Sequence, residues 1–307
     1  MSDALSRSRT AEPALDDAEA RPVDVAPDAA VGPDAATGPD AGPVRRRRRR
    51  ISPLVLFLQV AVAVAFVGGW ELLSRIDVLD PFFFSSPSAV AERVWTWLTT
   101  GEIYDDLLIT LQEAFYGLVI GAVLGLVVGF ALARMRLLAA VLDPYVKALN
   151  AIPRVVLAPI FLLWFGLGIW SKVAFAVTLV FFIVFFNTYQ GVREVDRVLV
   201  DNSRMLGASE SQLIRHVFLP SALSWIFSSL HVSVGFAIVG AVVGEYLGSA
   251  SGIGYVIAQA EGTFDTTGVF AGIVVLSVFV IVVDLLVNRV ERHLLRWRPE
   301  PSHAEVV

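Results

Sequence analysis

Long apolar runs separated by short polar segments dominate the sequence. Five uncharged runs each have about the 20 residues that a helix needs to cross the hydrocarbon core of a bilayer. These runs cover residues 51–70, 114–133, 173–192, 216–244 and 266–283. One more apolar run, residues 142–166, is interrupted by Pro153 and Pro159. It is the third of the six runs in chain order, and the runs are numbered in that order below. The pattern predicts an all-α polytopic membrane protein with six transmembrane helices, of which the third is broken.

The N-terminal end differs sharply from these runs. Residues 1–44 are rich in Ala, Asp and Pro and contain nine acidic side chains, so they cannot bury enough apolar area to fold. Six arginines follow at residues 45–50; beside an apolar run they are typical of a cytoplasmic anchor at anionic lipid, although such runs also bind nucleic acid. We therefore predict a disordered tail at 1–50, a transmembrane domain at 51–298 and a short tail at 299–307.

Composition agrees with a membrane protein and excludes several kinds of site. Hydrophobic residues make up 56% of the chain and charged ones 17%, whereas soluble domains are about a quarter charged. The absence of cysteine excludes disulfides, thiolate metal sites and cysteine nucleophiles. The two lysines, Lys147 and Lys172, lie outside any glycine-rich phosphate loop. No HExxH, GxSxG or clustered carboxylate pair supports a membrane-embedded enzyme.

Basic residues alternate between the two sides of the predicted bundle. One side carries the arginine run together with Arg134, Arg136, Arg193, Arg197, Arg204, Arg215, Arg289, Arg292, Arg296 and Arg298. The other side carries only Arg75, Arg93 and Lys172. Because cytoplasmic loops are enriched in Lys and Arg, we expect both termini and residues 201–220 to lie in the cytoplasm.

The second run contains a regular row of glycines, Gly117, Gly121, Gly125 and Gly129. At four-residue spacing on a helix they form one ridge without side chains, which a neighbouring helix can approach closely. Tight packing is the simpler interpretation, and sliding of two helices along the ridge during transport is the alternative.

A few positions inside the runs are candidates for a transport path. Pro153 and Pro159 each remove a backbone donor and kink a helix, so this region lines a pore or is a passive kink. His231 is a candidate because ionisable residues inside a membrane mark function, but a neutral imidazole bonded to a nearby serine is the simpler interpretation. Asp284 is predicted to lie at the membrane interface. We find no paired carboxylates in any run and predict no proton relay.

The polar segment between the fourth and fifth runs, residues 193–220, carries a helical pattern in its first half. Residues 194–206 place one stripe of side chains opposite the charged ones. The stripe consists of Val195, Val198, Leu199, Asn202 and Leu206. Gly207 follows and fits the left-handed residue that ends such a helix.

A second helix is predicted directly after this glycine. Ser209 and Gln212 have the spacing of a capping box, so this helix should start at Ser209 and have Leu213 and Val217 on its apolar face. Pro220 suits the opening turn of the next helix, where its missing donor is not needed. We therefore expect a helix, a glycine turn and a second helix that feeds into the fifth run and can transmit a push.

This segment resembles the coupling loop of permeases from binding-protein-dependent importers driven by ATP-binding cassette (ABC) ATPases. The family motif has Glu-Ala-Ala, three residues, Gly, nine residues and Ile-x-Leu-Pro. Here Gly207 is followed by nine residues and then by Val217, Phe218, Leu219 and Pro220, while Asp201, Asn202 and Ser203 occupy the Glu-Ala-Ala positions. Further stretches are similar to the nitrate/sulfonate/taurine-type subfamily, including residues 84–90 and Glu245 followed by Gly252, Ile253 and Gly254.

The resemblance implies a type I importer permease in the plasma (inner) membrane of a prokaryote. Two copies would enclose a path for a small solute such as nitrate, a sulfonate or taurine, delivered by an external solute-binding protein. A separate cytoplasmic ABC ATPase would bind ATP and Mg²⁺, and this chain would bind no cofactor. The residues that would couple to the ATPase are Asp201, Asn202, Ser203, Leu206, Gly207, Ala208, Ser209, Val217, Leu219 and Pro220.

The same resemblance suggests residues along the path, namely Pro153, Pro159, His231 and Glu245. The main alternative is a secondary carrier or channel that is not coupled to ATP. Such a carrier needs charge couples inside the membrane, for which the sequence offers only His231 and Asp284. A membrane-embedded enzyme is the third class.

Overall fold

The computed structural model describes residues 53–294, and every regular element within this range is helical. The predicted tails at 1–50 and 299–307 lie outside these residues. The helices are α1 (Pro53–Arg75), α2 (Pro81–Phe84), α3 (Pro87–Thr100), α4 (Glu102–Arg134), α5 (Arg136–Ala151), α6 (Ala158–Phe165), α7 (Ile169–Arg193), α8 (Arg197–Met205), α9 (Glu210–Leu213), α10 (Leu219–Gly248), α11 (Ile253–Gly262) and α12 (Thr266–Leu294). A 3₁₀ turn, Arg154–Leu157, precedes α6, and a π-helical turn, Ile214–Phe218, joins α9 to α10.

Five helical segments are long and apolar enough to cross a membrane, and a bent pair of helices provides a sixth. The five segments contain α1, α4, α7, α10 and α12. The pair is α5 with the segment Arg154–Phe165, which meet at 87°. Counted with the bent pair as one span, these segments match the predicted six, and the pair has the break predicted for the third.

The two prolines of the third span open helical segments instead of kinking one. Pro153 has extended backbone, with φ −60° and ψ 110°, directly before the 3₁₀ turn, and Pro159 lies in the first turn of α6. A proline is tolerated in a first turn because the amide that it lacks would have no intrahelical partner there. The expected kinks are therefore a break between separate helices.

The glycine ridge of α4 is the surface on which α7 packs. A methyl group at Gly121 would lie 2.8 Å from Val180 Cβ, and one at Gly125 would lie 2.7 Å from the carbonyl oxygen of Phe181. All four glycines of the ridge are buried. The structure thus has the tight packing that the spacing predicts, while sliding along the ridge stays a hypothesis.

Helix α10 connects the two ends of the bundle. Its 30 residues correspond to about 45 Å at 1.5 Å per residue. We call α8, the turn after it and α9 the elbow. The N-terminal end of α10 packs with the elbow around a core that includes Val200, Leu213 and Ile226, and we call this end of the bundle the elbow end. The C-terminal end of α10 leads to α11, where Ile253 packs with Ile103 from α4. We call this end of the bundle the far end.

Helix α3 lies at the far end and packs against α12 and α4. It begins after Ser86, whose side chain caps it, and ends at Gly101 with φ 83°. Arg93 on α3 forms a 2.6 Å ion pair with Asp265, which lies between α11 and α12. Although partial burial raises the pKa of Asp265, the amide of Gly268 and the guanidinium of Arg93 outweigh it and lower that pKa below its usual value.

Candidate functional site: an elbow loop and a buried polar cluster

The first elbow helix starts later than the sequence predicts. Helix α8 begins at Arg197, because Asp196 caps it by accepting a 2.8 Å hydrogen bond from the amide of Val198. The stripe proposed from residue 194 onwards is therefore wrong. Val195 lies before the helix and is buried, Val200 is the buried residue of the helix itself, and Val198 is 63% exposed.

The glycine turn is formed as predicted. Gly207 has φ 84°, its amide donates to the carbonyl of Arg204 at 2.9 Å, and the next amide, of Ala208, donates to Ser203 at 3.0 Å. Nothing lies within 4 Å of where a side chain at Gly207 would begin, so the positive φ alone favours glycine there. The preceding Leu206 is 89% exposed.

The capping box of the second elbow helix is also confirmed. The amide of Gln212 donates to Ser209 Oγ at 3.4 Å, and the amide of Ser209 donates to Gln212 Oε1 at 2.8 Å. Helix α9 accordingly begins at Glu210. Leu213 and Val217 are buried as expected, so Val217 supports the elbow from inside and has little surface for a partner.

Helix α9 continues into α10 without a break, through the π-helical turn. Pro220 lies in the first turn of α10, as predicted. A widened turn directly before a proline makes room for the proline ring and for the carbonyl that loses its amide partner. Both the elbow helix and the membrane helix therefore belong to one continuous rod.

The remaining coupling candidates lie at or near the surface of the elbow. Asp201 and Asn202 are exposed, Ala208 is half-buried and Leu219 is 38% exposed. Ser203 donates from Oγ to the carbonyl of Leu199 at 2.8 Å. The exposed set thus follows the outer side of α8 and the glycine turn.

Arg134, at the end of α4, ties the two elbow helices to the bundle. It forms an ion pair with Glu210 of α9, and its guanidinium lies 4.3 Å from the centre of the Phe218 ring. Arg204 of α8 binds the other carboxylate oxygen of Glu210 at 3.0 Å. Sequence reasoning used these arginines only to assign topology, because contacts between distant elements leave no local pattern.

A buried polar cluster lies at the far end. Glu113 of α4, Lys172 of α7 and Glu245 of α10 are each 1% exposed and interact electrostatically with one another. Lys172 Nζ also donates to the carbonyls of Leu167 and, at 3.1 Å, Gly168. The uncharged runs thus miss a pair of carboxylates that comes from two different helices, while the absence of a proton relay stays a prediction.

The runs miss these residues because the helices extend beyond the uncharged runs. The uncharged runs begin at residues 114 and 173, one position after Glu113 and Lys172. Helix α4 begins at Glu102 and α7 at Ile169, so both charged residues lie inside helices and pack in the bundle. A search for uncharged runs misses such residues, because each run ends by definition at the first charged side chain.

Side chains from α4 and α10 bind the start of α11. Glu245 accepts from Thr110 Oγ1 at 2.7 Å and from the amide of Gly254 at 2.7 Å. The amide of Ile253 donates to Thr110 Oγ1 at 3.1 Å. Asp106 accepts from the amide of Gly252 at 2.6 Å. We call Asp106, Thr110 and Glu245, with the three amides that they bind, the clasp.

The path candidates do not converge on one place within the subunit. Glu245 is enclosed in the clasp, whereas Pro153 and Pro159 are exposed at the break before α6. His231 is half-buried on α10. Asp284 is exposed and accepts a 2.8 Å hydrogen bond from Asn288. In this conformation Glu245 therefore lies inside the bundle and not on a surface that lines a path.

The chain is similar in sequence to transport permeases of bacteria. The chain is 34% identical over 260 residues to a putative aliphatic sulfonates transport permease, SsuC, of Bacillus subtilis, covering 84% of this chain and 93% of that one. It is 33% identical over 255 residues to the formylaminopyrimidine transport permease ThiX of Halalkalibacterium halodurans, covering 83% and 99%.

The fold is also known from a solved transporter. The inward-facing structure of the MetNI methionine ABC transporter matches with a TM-score of 0.51 at 20% identity, over 64% of this chain and 96% of that one. At that identity the likeness concerns the fold alone. It agrees with the predicted importer-type bundle.

A family model covers more than half of the chain and settles its class. Residues 121–296, which include the elbow, α10, α11 and α12, match the model described as binding-protein-dependent transport system inner membrane component. Such proteins are transport permeases and not enzymes. The chain belongs to this family and is a permease subunit of an ABC importer.

Proposed function

We propose that this subunit pairs with a second copy to form the path of a small solute, and that residues 201–220 couple the path to a separate cytoplasmic ATPase. The observation that carries the proposal is the exposed apolar tip of the elbow. Met205 is 79% exposed and Leu206 is 89% exposed, directly before the Gly207 turn. Large apolar residues on a projecting turn favour a protein partner with an apolar groove.

The mechanics of the elbow support coupling. Its turn is fixed by a positive φ at Gly207 and by the capping box of Ser209, and the ion pairs of Glu210 hold both helices to α4. The chain then runs helically into α10. A displacement of the tip would therefore rotate or shift α10 as a rod and would not be absorbed in a loose loop.

The basic residues at the elbow end support a cytoplasmic position for the elbow and both termini, in the inner membrane. In this arrangement the ATPase holds ATP and Mg²⁺ and this chain holds no cofactor. A solute-binding protein docks at the far end, outside the cell. The exposed break before α6, with Pro153 and Pro159, is then a candidate part of the path between two copies.

The solute that we propose is a small sulfonate-like anion. Similarity to the SsuC permease, named for aliphatic sulfonates, supports this choice, while the relative named for formylaminopyrimidine makes a pyrimidine precursor the second candidate. Uptake of radiolabelled taurine or an alkanesulfonate, in competition with formylaminopyrimidine, distinguishes the two.

The absence of cysteine makes the coupling proposal directly testable. A Leu206→Cys variant has a single thiol, which can carry a photoactivatable maleimide crosslinker. In membranes that contain the ATPase, we expect a crosslinked product between the two subunits. The matched control is Trp95→Cys on α3, which is 69% exposed at the far end and should give no such product.

The same two variants test the orientation. A membrane-impermeant maleimide should label the elbow thiol only in inside-out vesicles and the α3 thiol only in intact cells or spheroplasts. An elbow thiol that reacts from outside, or that gives no ATPase crosslink, would sink the proposal.

A further inference from the structure

We propose that Glu245, Thr110 and Asp106 are positioning residues that fasten α11 to α10 and α4, so that movement of α10 is delivered to α11. The direction of this movement, from the elbow to the external face, rests on the function proposed above. The clasp itself rests on the contacts of the far end. The family resemblance suggests only that Glu245 lies along the path, and it gives none of these three side chains a role in fastening α11.

Helix α11 depends on other helices for its N-terminal cap. The first amides of a helix have no intrahelical partners, and a local Ser, Thr, Asp or Asn usually binds them. The N-cap of α11 is Gly252, which has no side chain to do so. The amides of Gly252, Ile253 and Gly254 are instead bound by Asp106, Thr110 and Glu245 respectively.

The glycines of this turn are required by the clasp. Gly252 has φ 100°, and a methyl group there would overlap the carboxylate of Glu245. A methyl group at Gly254 would lie 2.8 Å from Glu245 Cβ and would overlap the carbonyl of Val242. The backbone of the turn thus lies directly on the Glu245 side chain, and the two cannot move apart without breaking the bond from the amide of Gly254 and the bridge through Thr110.

The surrounding charges connect the clasp to the third span as well. A buried carboxylate is unfavourable unless it is paired and hydrogen-bonded. Lys172 provides the nearby positive charge for Glu245 and Glu113, and its ammonium also binds the carbonyls of Leu167 and Gly168 between α6 and α7. A shift of α10 at Glu245 would therefore displace both α11 and the turn that ends the broken span.

Glu245 stands one turn before the end of α10, whose other end carries the elbow. The rod is about 45 Å long, so the clasp and the elbow lie near its opposite ends, while its middle packs on α7 and α4. Helix α11 in turn packs on α12. Under the proposed orientation, α11 lies on the external side, where the solute enters and the binding protein docks.

The test compares ATP hydrolysis with and without the external signal. The complex of permease, ATPase and solute-binding protein is reconstituted in proteoliposomes, and basal hydrolysis, hydrolysis stimulated by loaded binding protein, and uptake are measured. For Glu245→Leu, which removes the two carboxylate oxygens that accept from Thr110 and Gly254, we expect stimulated hydrolysis and uptake to fall about tenfold or more. Basal hydrolysis should stay within about twofold of wild type, and the crosslink from the elbow thiol, measured in the Leu206→Cys background, within about twofold of the Leu206→Cys protein itself.

Matched variants separate hydrogen bonding from volume. Glu245→Gln keeps an acceptor for the amide of Gly254 and can donate to Thr110, so it should keep most of the stimulation. Thr110→Val has nearly the same shape as threonine but cannot bind Glu245 or the amide of Ile253, whereas Thr110→Ser can. We expect the valine variant to lose stimulation and the serine variant to keep it.

Unchanged stimulation in both Glu245→Leu and Thr110→Val overturns the clasp. A fall in basal and stimulated hydrolysis by the same factor also overturns it, because that result indicates general loss of structure. If Glu245→Leu is not recovered as folded protein, Thr110→Val against Thr110→Ser decides the question. Failure of the elbow crosslink in the Leu206→Cys protein with an intact clasp would instead count against the proposed function and would leave the clasp comparison interpretable.

Discussion

Arg134 and Glu210 form an ion pair between the last residue of α4 and the first residue of α9. The two residues are 76 positions apart in the sequence, and the pair joins a membrane helix to the elbow. Because Arg134 also covers the Phe218 ring, one side chain fixes both the beginning of α9 and its continuation towards α10. The elbow is therefore attached to the bundle at a second point besides α10.

The first prediction concerns this attachment. Arg134→Met should lower uptake several-fold, because the elbow can then tilt without moving the bundle, while the amount of inserted protein changes little. An ion pair with a partner as exposed as Glu210 contributes little to stability, because water screens it. Uptake per amount of protein in vesicles is the measurement. The charge swap of Arg134→Glu with Glu210→Arg should recover part of the activity, and a swap no better than either single variant contradicts the prediction.

A second prediction concerns the backbone of the elbow turn. Gly207→Val should abolish ATP-coupled uptake, since a β-branched residue is strongly disfavoured at φ 84°. The open space around Gly207 means that no clash contributes. Gly207→Asn is the control, because asparagine tolerates the left-handed conformation, and it should keep most of the uptake. Equal activity of the two variants would show that the turn geometry does not matter.

The elbow could be predicted in detail because its signals are local. The positive φ at Gly207 and the capping box of Ser209 and Gln212 each depend on residues a few positions apart. The start of α8 was missed because Asp196 was not recognised as its cap. The exposure of Leu206 could not be predicted, since an apolar residue in a helical stripe is normally assigned to the core.

The clasp could not be predicted for the opposite reason. Thr110 and Glu245 are 135 positions apart, and Gly252 and Asp106 are 146 apart, so no sequence window contains both partners. The resemblance pointed to Glu245 and to Gly252 with Gly254, but without a physical reason for either. The reason lies in tertiary packing, because these glycines leave room for the carboxylate of Glu245. The periodicity of the sequence gives no sign of that contact.

A third prediction concerns the glycine ridge. Gly125→Leu should greatly reduce the yield of folded protein, because even a methyl group at this position would lie 2.7 Å from the carbonyl of Phe181. Gly68→Leu on α1 is the control, since nothing lies within 4 Å of that position. Size-exclusion profiles and melting temperatures in detergent provide the measurement. Normal folding of the Gly125 variant would show that α4 and α7 are not held at this distance.

The last prediction concerns the pH dependence of stability at the far end. The pKa of Asp265 is lowered in the folded protein, so the folded state binds a proton at this carboxyl more weakly than the unfolded state does. Its contribution to stability is therefore fully present above about pH 4, the ordinary pKa of aspartate, and is lost as the pH falls through the lower folded value.

Asp265→Asn is the matched variant for this test, because it keeps the shape and an acceptor for the amide of Gly268 but cannot pair with Arg93. The wild type should be more stable than this variant at pH 7 by no more than about 1 kcal/mol, given that both charged groups are about one-third exposed. The difference should shrink as the pH approaches 3. Melting curves of both proteins across this range measure it. A difference that grows on acidification would mean that the folded pKa is raised, which would contradict the ion pair between α3 and the start of α12.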